Sequence, residues 1–128
     1  MFLTRLNVML IDDRANQGRG SWMLSTPLVY ECDDKIQYIV PTGFVTDFAS
    51  VPRVPIAFLL AGDTAHRPAV LHDWLIKKMP IPRTRADELF YEAMRSVGMP
   101  AWRAGMMYRA VAAQTRHLAD KLKSWSSE

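Results

Sequence analysis

A histidine and a carboxylate stand side by side inside an otherwise hydrophobic run, Ala69-Val70-Leu71-His72-Asp73-Trp74-Leu75-Ile76. A second polar group, Thr46-Asp47-Phe48-Ala49-Ser50-Val51-Pro52-Arg53, is set among apolar neighbours in the same way. Ionisable side chains in such surroundings lose hydration on folding. They cost stability unless they bond one another, a metal or a ligand. A neutral imidazole is a natural general base near neutral pH. His72 is therefore the candidate base, with Asp73 or Asp47 orienting its ring or holding a cation. The Ser50 hydroxyl and the Arg53 guanidinium would then complete a ligand-binding loop. The same residues also admit a purely structural role. His72 would bond Asp47 and a backbone carbonyl, Asp47 and Ser50 would close the loop onto its own backbone, and Arg53 would form a bidentate pair with an acid on a neighbouring helix. Ser50 lacks the Gly-x-Ser-x-Gly setting of a nucleophile elbow.

The elements that must position these groups fall into two halves. Strands are expected at Leu6–Ile11, at Trp22–Leu24, at Leu28–Tyr30 and at Lys35–Val40, the last alternating with period two after an Asp33-Asp34 turn. Residues 44–53 read as a structured loop or short extended segment. A short helix is expected after Pro55, and a second from about Pro68 to Lys78, where the missing proline N–H is not needed. Thr84 with Asp87 three residues on reads as a capping box opening a third helix, which Gly98 stops. A final helix is expected from about Ala101 to Ser124, with its apolar stripe through Trp102, Met106, Ala110, Ala113 and Leu118. The expected fold class is α+β, a small N-terminal antiparallel sheet packed against three or four C-terminal helices. One domain spans residues 1–128, with a core of about 20–112 and a basic amphipathic helix end at 113–128.

Composition narrows the function classes. The chain has 128 residues, 49% hydrophobic and 23% charged, as ordinary globular proteins do. Its longest apolar run is far too short to span a bilayer, and residues 1–8 lack the pattern of a secretory signal. A lone Cys32 gives no disulfide framework and no cysteine-rich zinc site, so synthesis in a reducing cytoplasm is expected. Residues 1–64 carry five Lys/Arg and seven Asp/Glu, a net of −2. Residues 65–128 carry eleven and six, a net of +5. The basic residues of the second half are interleaved with acids and lack a reader motif, which argues against nucleic acid. No cofactor is expected. Zinc would need carboxylates from separate elements beside His66, His72 or His117, and calcium would have to draw on Asp73, Asp47, loop carbonyls and water.

Three spaced motifs, Val40-Pro41-Thr42-Gly43-Phe44-Val45-Thr46-Asp47-Phe48-Ala49-Ser50-Val51-Pro52-Arg53, Ala69-Val70-Leu71-His72-Asp73-Trp74-Leu75 and Arg83-Thr84-Arg85-Ala86-Asp87-Glu88-Leu89-Phe90, resemble domain of unknown function family 1353. The resemblance covers roughly residues 20–112. It implies a small α+β domain from a tailed phage or prophage and adds Arg85 and Asp87 to the polar cluster of Ser50 and Arg53. Ile76 departs from the tyrosine often found there. More locally, the layout is similar to that of secreted phospholipases A2, a resemblance that implies water activation by His72, calcium binding by Asp73 and support of His72 by Asp87. The Gly-rich calcium loop and the disulfides of that family are absent. Two functions are thus expected. The first is a phage late-gene protein, a minor tail or baseplate component or an assembly factor, made in the host cytoplasm and docking other phage proteins through its C-terminal helix. The alternative is a small phage hydrolase acting on host-envelope peptidoglycan or lipid through His72, Asp73 and Asp47.

Overall fold

The computed structural model describes residues 1–15, 20–46 and 66–126, with side chains as far as residue 124. Among the described residues, five strands precede three helices: β1 (Val8–Asp12), β2 (Ser21–Leu24), β3 (Leu28–Glu31), β4 (Gln37–Val40), β5 (Val45–Thr46), α1 (His66–Lys78), α2 (Arg83–Ser96) and α3 (Ala101–Ser126). The α+β class holds. The strands form two antiparallel sheets rather than one, in the orders β1-β2-β5 and β3-β4.

The β3–β4 hairpin follows from its sequence. Leu28 pairs with Val40 and Tyr30 with Tyr38, so one face presents four residues that are all buried. Five residues, Cys32 to Ile36, join the strands, closed by Cys32 N–H donating to Ile36 O, and Lys35 takes φ 70°. That left-handed position is the one glycine or asparagine usually fills in such loops. A segment that sequence reading left unassigned lies along β3: Leu3 N–H donates to Val29 O and Glu31 N–H to Met1 O, while the Phe2 ring packs 4.8 Å from that of Tyr30. The Arg67 guanidinium covers the other side of Phe2, 5.1 Å from its centroid.

α1 begins two residues before Pro68, which sits in the first turn as its chemistry allows. The capping box at Thr84 does not form. α2 opens at Arg83 after Pro82, no side chain caps it, and Asp87 is buried instead of facing its own helix end. Its other end matches expectation. Gly98 takes φ 91°, Met99 N–H donates to Met94 O and Gly98 N–H to Arg95 O, the paired bonds of a Schellman motif, with Met99 buried beside them.

α3 buries a different face from the expected one. Ala104, Met107 and Val111 are buried, whereas Trp102 is 66% exposed and Met106, Ala113 and Leu118 are also exposed. Both stripes have helical spacing. The one that is buried packs on Phe90 and Met94 of α2, so the partner helix selects the face. The core is accordingly in two parts: β3, β4, α1 and one side of α2 around Tyr30, Leu71 and Leu89, and a helical layer around Ala69, Phe90, Met94 and Met107. Among the described residues no helix is long and apolar enough to cross a membrane.

Candidate functional site

Where the two parts of the core meet, a chain of polar side chains passes through three helices. His72 of α1 reaches Asp87 of α2, Nε2 to Oδ1 at 2.8 Å. Thr115 of α3 donates its hydroxyl to the other carboxylate oxygen, Oγ1 to Oδ2 at 2.6 Å. His72 is 1% exposed and Asp87 2%, so water does not compete for these bonds. A carboxylate only accepts, so Nε2 of neutral His72 carries the proton and Nδ1 carries the lone pair. The imidazole stacks on Phe90, with centroids 4.7 Å apart. Its Nδ1 is buried and has no hydrogen-bond partner among the described residues. Most buried side-chain nitrogens have a partner, so this one stands out.

Asp73 turns away from this chain. Successive helical residues point about 100° apart, so Asp73 faces β5, where Thr46 donates its hydroxyl to Oδ2 at 2.8 Å. The Lys77 ammonium lies 3.0 Å from Oδ1, an ionic contact one turn along α1 without hydrogen-bond alignment. Among the described residues the carboxylate bonded to His72 is Asp87 and not Asp73. The side-by-side pair His72-Asp73 thus meets different neighbours, from directions about 100° apart on α1.

The other expected residues divide in two. Arg85 is not joined to the His72 chain. It pairs with Glu88 at 3.2 Å and approaches Asp34 at 3.8 Å on the surface. Asp34 also accepts from the Cys32 thiol; that bond, with lesser help from Arg85, holds its carboxyl below the usual range. Burial and the same bond push the Cys32 thiol up, which keeps it an unreactive packing residue. Asp47, Ser50, Arg53 and the expected helix after Pro55 lie outside the described residues. Thr46, the first residue of that polar motif, does meet α1 through Asp73. Among the described residues no three His, Cys, Asp or Glu side chains gather as a metal site.

Three contributors escaped sequence reading, Lys77, Phe90 and Thr115, while Thr46 entered it only as the first residue of its motif. Thr115 had a visible signal, since it lies four residues after Val111 on the buried stripe of α3. A polar residue on an apolar stripe marks a position that must find a partner inside.

Comparisons with known proteins agree with this layout in extent but supply no activity. An uncharacterized protein of Sinorhizobium fredii, y4jT, is 30% identical over 97 residues, which is 73% of this chain and 29% of that protein. The chain thus spans less than a third of the curated relative it matches. No solved structure matches it. The model of the family described as "Protein of unknown function (DUF1353)" matches residues 22–111 and takes in Thr46, His72, Asp73 and Asp87, and the chain belongs to that family.

Proposed function

We propose that the chain is a small hydrolase whose proton-transfer centre is the His72–Asp87 dyad. The observation that carries this reading is the buried Nδ1 of His72, a basic nitrogen without a partner among the described residues, on a ring whose other nitrogen is held by a carboxylate. In this scheme, which requires the site to open so that water reaches the buried Nδ1, that nitrogen takes a proton from water as the oxygen attacks the carbon of an acyl or glycosidic bond, and the imidazolium returns that proton to the leaving group. Asp87 stabilises the imidazolium, and the Thr115 hydroxyl keeps Asp87 aimed at it. Asp73, Asp47 and Arg53 are the positioning groups. The substrate class proposed is a bacterial envelope polymer or lipid, and the source a tailed phage or prophage; the latter rests on the family resemblance alone.

The test uses the purified chain on fluorogenic phospholipid vesicles and on labelled peptidoglycan. Turnover of one of them is expected. His72→Ala should lower that turnover about 10²–10⁴-fold, with Asp87→Asn reducing it while the fold persists. Full activity of folded His72→Ala overturns the reading.

A second reading is favoured by the near-complete burial of His72 and Asp87. In it the polar chain is a brace in a minor virion or assembly protein. Mass spectrometry of purified virions carrying this gene, together with absence of turnover on both substrates, would establish it over the first.

A further inference from the structure

The buried stripe of α3 does not stop where the core stops. Ala104, Met107, Val111, Thr115, Leu118 and Leu122 follow one another at spacings of three and four, so they share one line along the helix. Burial fades along it: Ala104 and Met107 are fully buried, Leu118 is 38% exposed and Leu122 59%. Beside this uncovered length lies a groove of about 390 Å³ lined by Arg83, Thr115, Leu118, Ala119, Lys121 and Leu122. Its floor is apolar, and its rim carries the cations of Arg83 and Lys121. Residues 115–126 carry Arg116, Lys121 and Lys123 against Asp120.

The rim holds a second, independent sign. Arg83 is the first residue of α2, and α2 has no acid in its first turn and no side-chain cap. A cation at a helix N-terminus opposes the helix dipole, and uncapped N–H groups there favour an acceptor. The arrangement is unfavourable in the isolated chain and becomes favourable when a carboxylate covers it.

We propose that this groove docks an acidic amphipathic helix of a partner protein, whose leucine-like side chains extend the α3 stripe and whose carboxylates meet Arg83 and the uncapped start of α2. Helix-in-groove recognition of this kind needs apolar anchors at helical spacing and a complementary rim. A second copy of the chain is the poorer occupant, because face-to-face pairing sets Arg83, Arg116 and Lys121 of one copy against those of the other. The proposal is independent of whether His72 catalyses. Its location is still notable in one respect: Thr115 forms part of the groove floor and also holds Asp87.

The experiment uses the full chain and two designed 21-residue helical peptides with leucine at the same positions, one flanked by glutamate and the other by lysine. Binding is read by fluorescence anisotropy and by methyl NMR shifts of Leu118 and Leu122. The glutamate peptide should bind at least about tenfold more tightly than the lysine peptide, and Leu122→Asp should weaken it by at least about tenfold. Arg83→Glu should move the preference toward the lysine peptide. These residues are exposed, and unchanged melting curves will verify that the variants fold. Equal binding of both peptides, or none, overturns the proposal. So does dimerisation through Leu118 and Leu122 seen by sedimentation, or attachment of this face to phosphatidylglycerol vesicles in place of the peptide.

Discussion

At the residue scale, one imidazole has unequal surroundings on its two nitrogens, and the Asp87 side can be weighed. Thr115→Val removes the hydroxyl that donates to Asp87 but keeps the shape of the side chain. A hydrogen bond to a charged group contributes about 1.5–3 kcal/mol, so urea unfolding should show a loss of that order. His72→Ala removes the ring, leaving Asp87 one donor short and a cavity against Phe90, so a loss of about 2–4 kcal/mol is expected. Much of this site was legible. An imidazole and a carboxylate in an apolar run announced burial, and both are buried. What misled was adjacency in sequence. His72 and Asp73 look like partners on paper, yet helical geometry sends them to different neighbours. The spacing Thr84 to Asp87 fits a cap as well as it fits burial, and only the local phospholipase resemblance pairs Asp87 with His72.

At the element scale, strands and helices were legible where one residue type forces a conformation. Gly98 stopped α2 because only glycine adopts φ 91° there without strain. Gly98→Ala should therefore cost about 1–2 kcal/mol, read as a fall in melting temperature, although nothing near the position would clash with the new methyl. Lys35 presents the converse. It adopts φ 70° with a full side chain, and Lys35→Gly is expected to raise stability by a few tenths of a kcal/mol, since relief of strain outweighs the added freedom of the unfolded chain. The face of α3 was not legible. Its sequence offers two apolar stripes, and only the partner helix decides between them. The division of the strands into two sheets was hidden for the same reason, because pairing depends on long-range contacts that alternation does not encode.

At the scale of the whole molecule, the sheets and helices are tied by polar contacts as well as by packing. Tyr30, fully buried on β3, donates its hydroxyl to Glu92 of α2 at 2.5 Å. Burial first, then the bond to Glu92 and the charges of Glu92 and Asp33, push the phenol well above its usual range. The folded state therefore holds this proton more tightly than the unfolded chain does. The contribution is fully present below about pH 10, the ordinary phenol value, and falls as pH climbs further, by up to about 1.4 kcal/mol per unit. Denaturation measured between pH 9 and 12 should steepen above pH 10, and Tyr30→Phe should flatten that limb. An unchanged slope in the variant would assign the alkaline loss to other groups.

Because the polar chain takes one member from each helix, it also fixes their phase. Sliding any helix by one turn moves its side chains about 5.4 Å along the axis, which parts His72 from Asp87 or Asp87 from Thr115, whereas leucines and methionines would find substitute neighbours. Hydrophobic layers tolerate shuffling; this alignment tolerates none. A redesign that replaced every apolar residue around these three positions should still set the helices at the same mutual height.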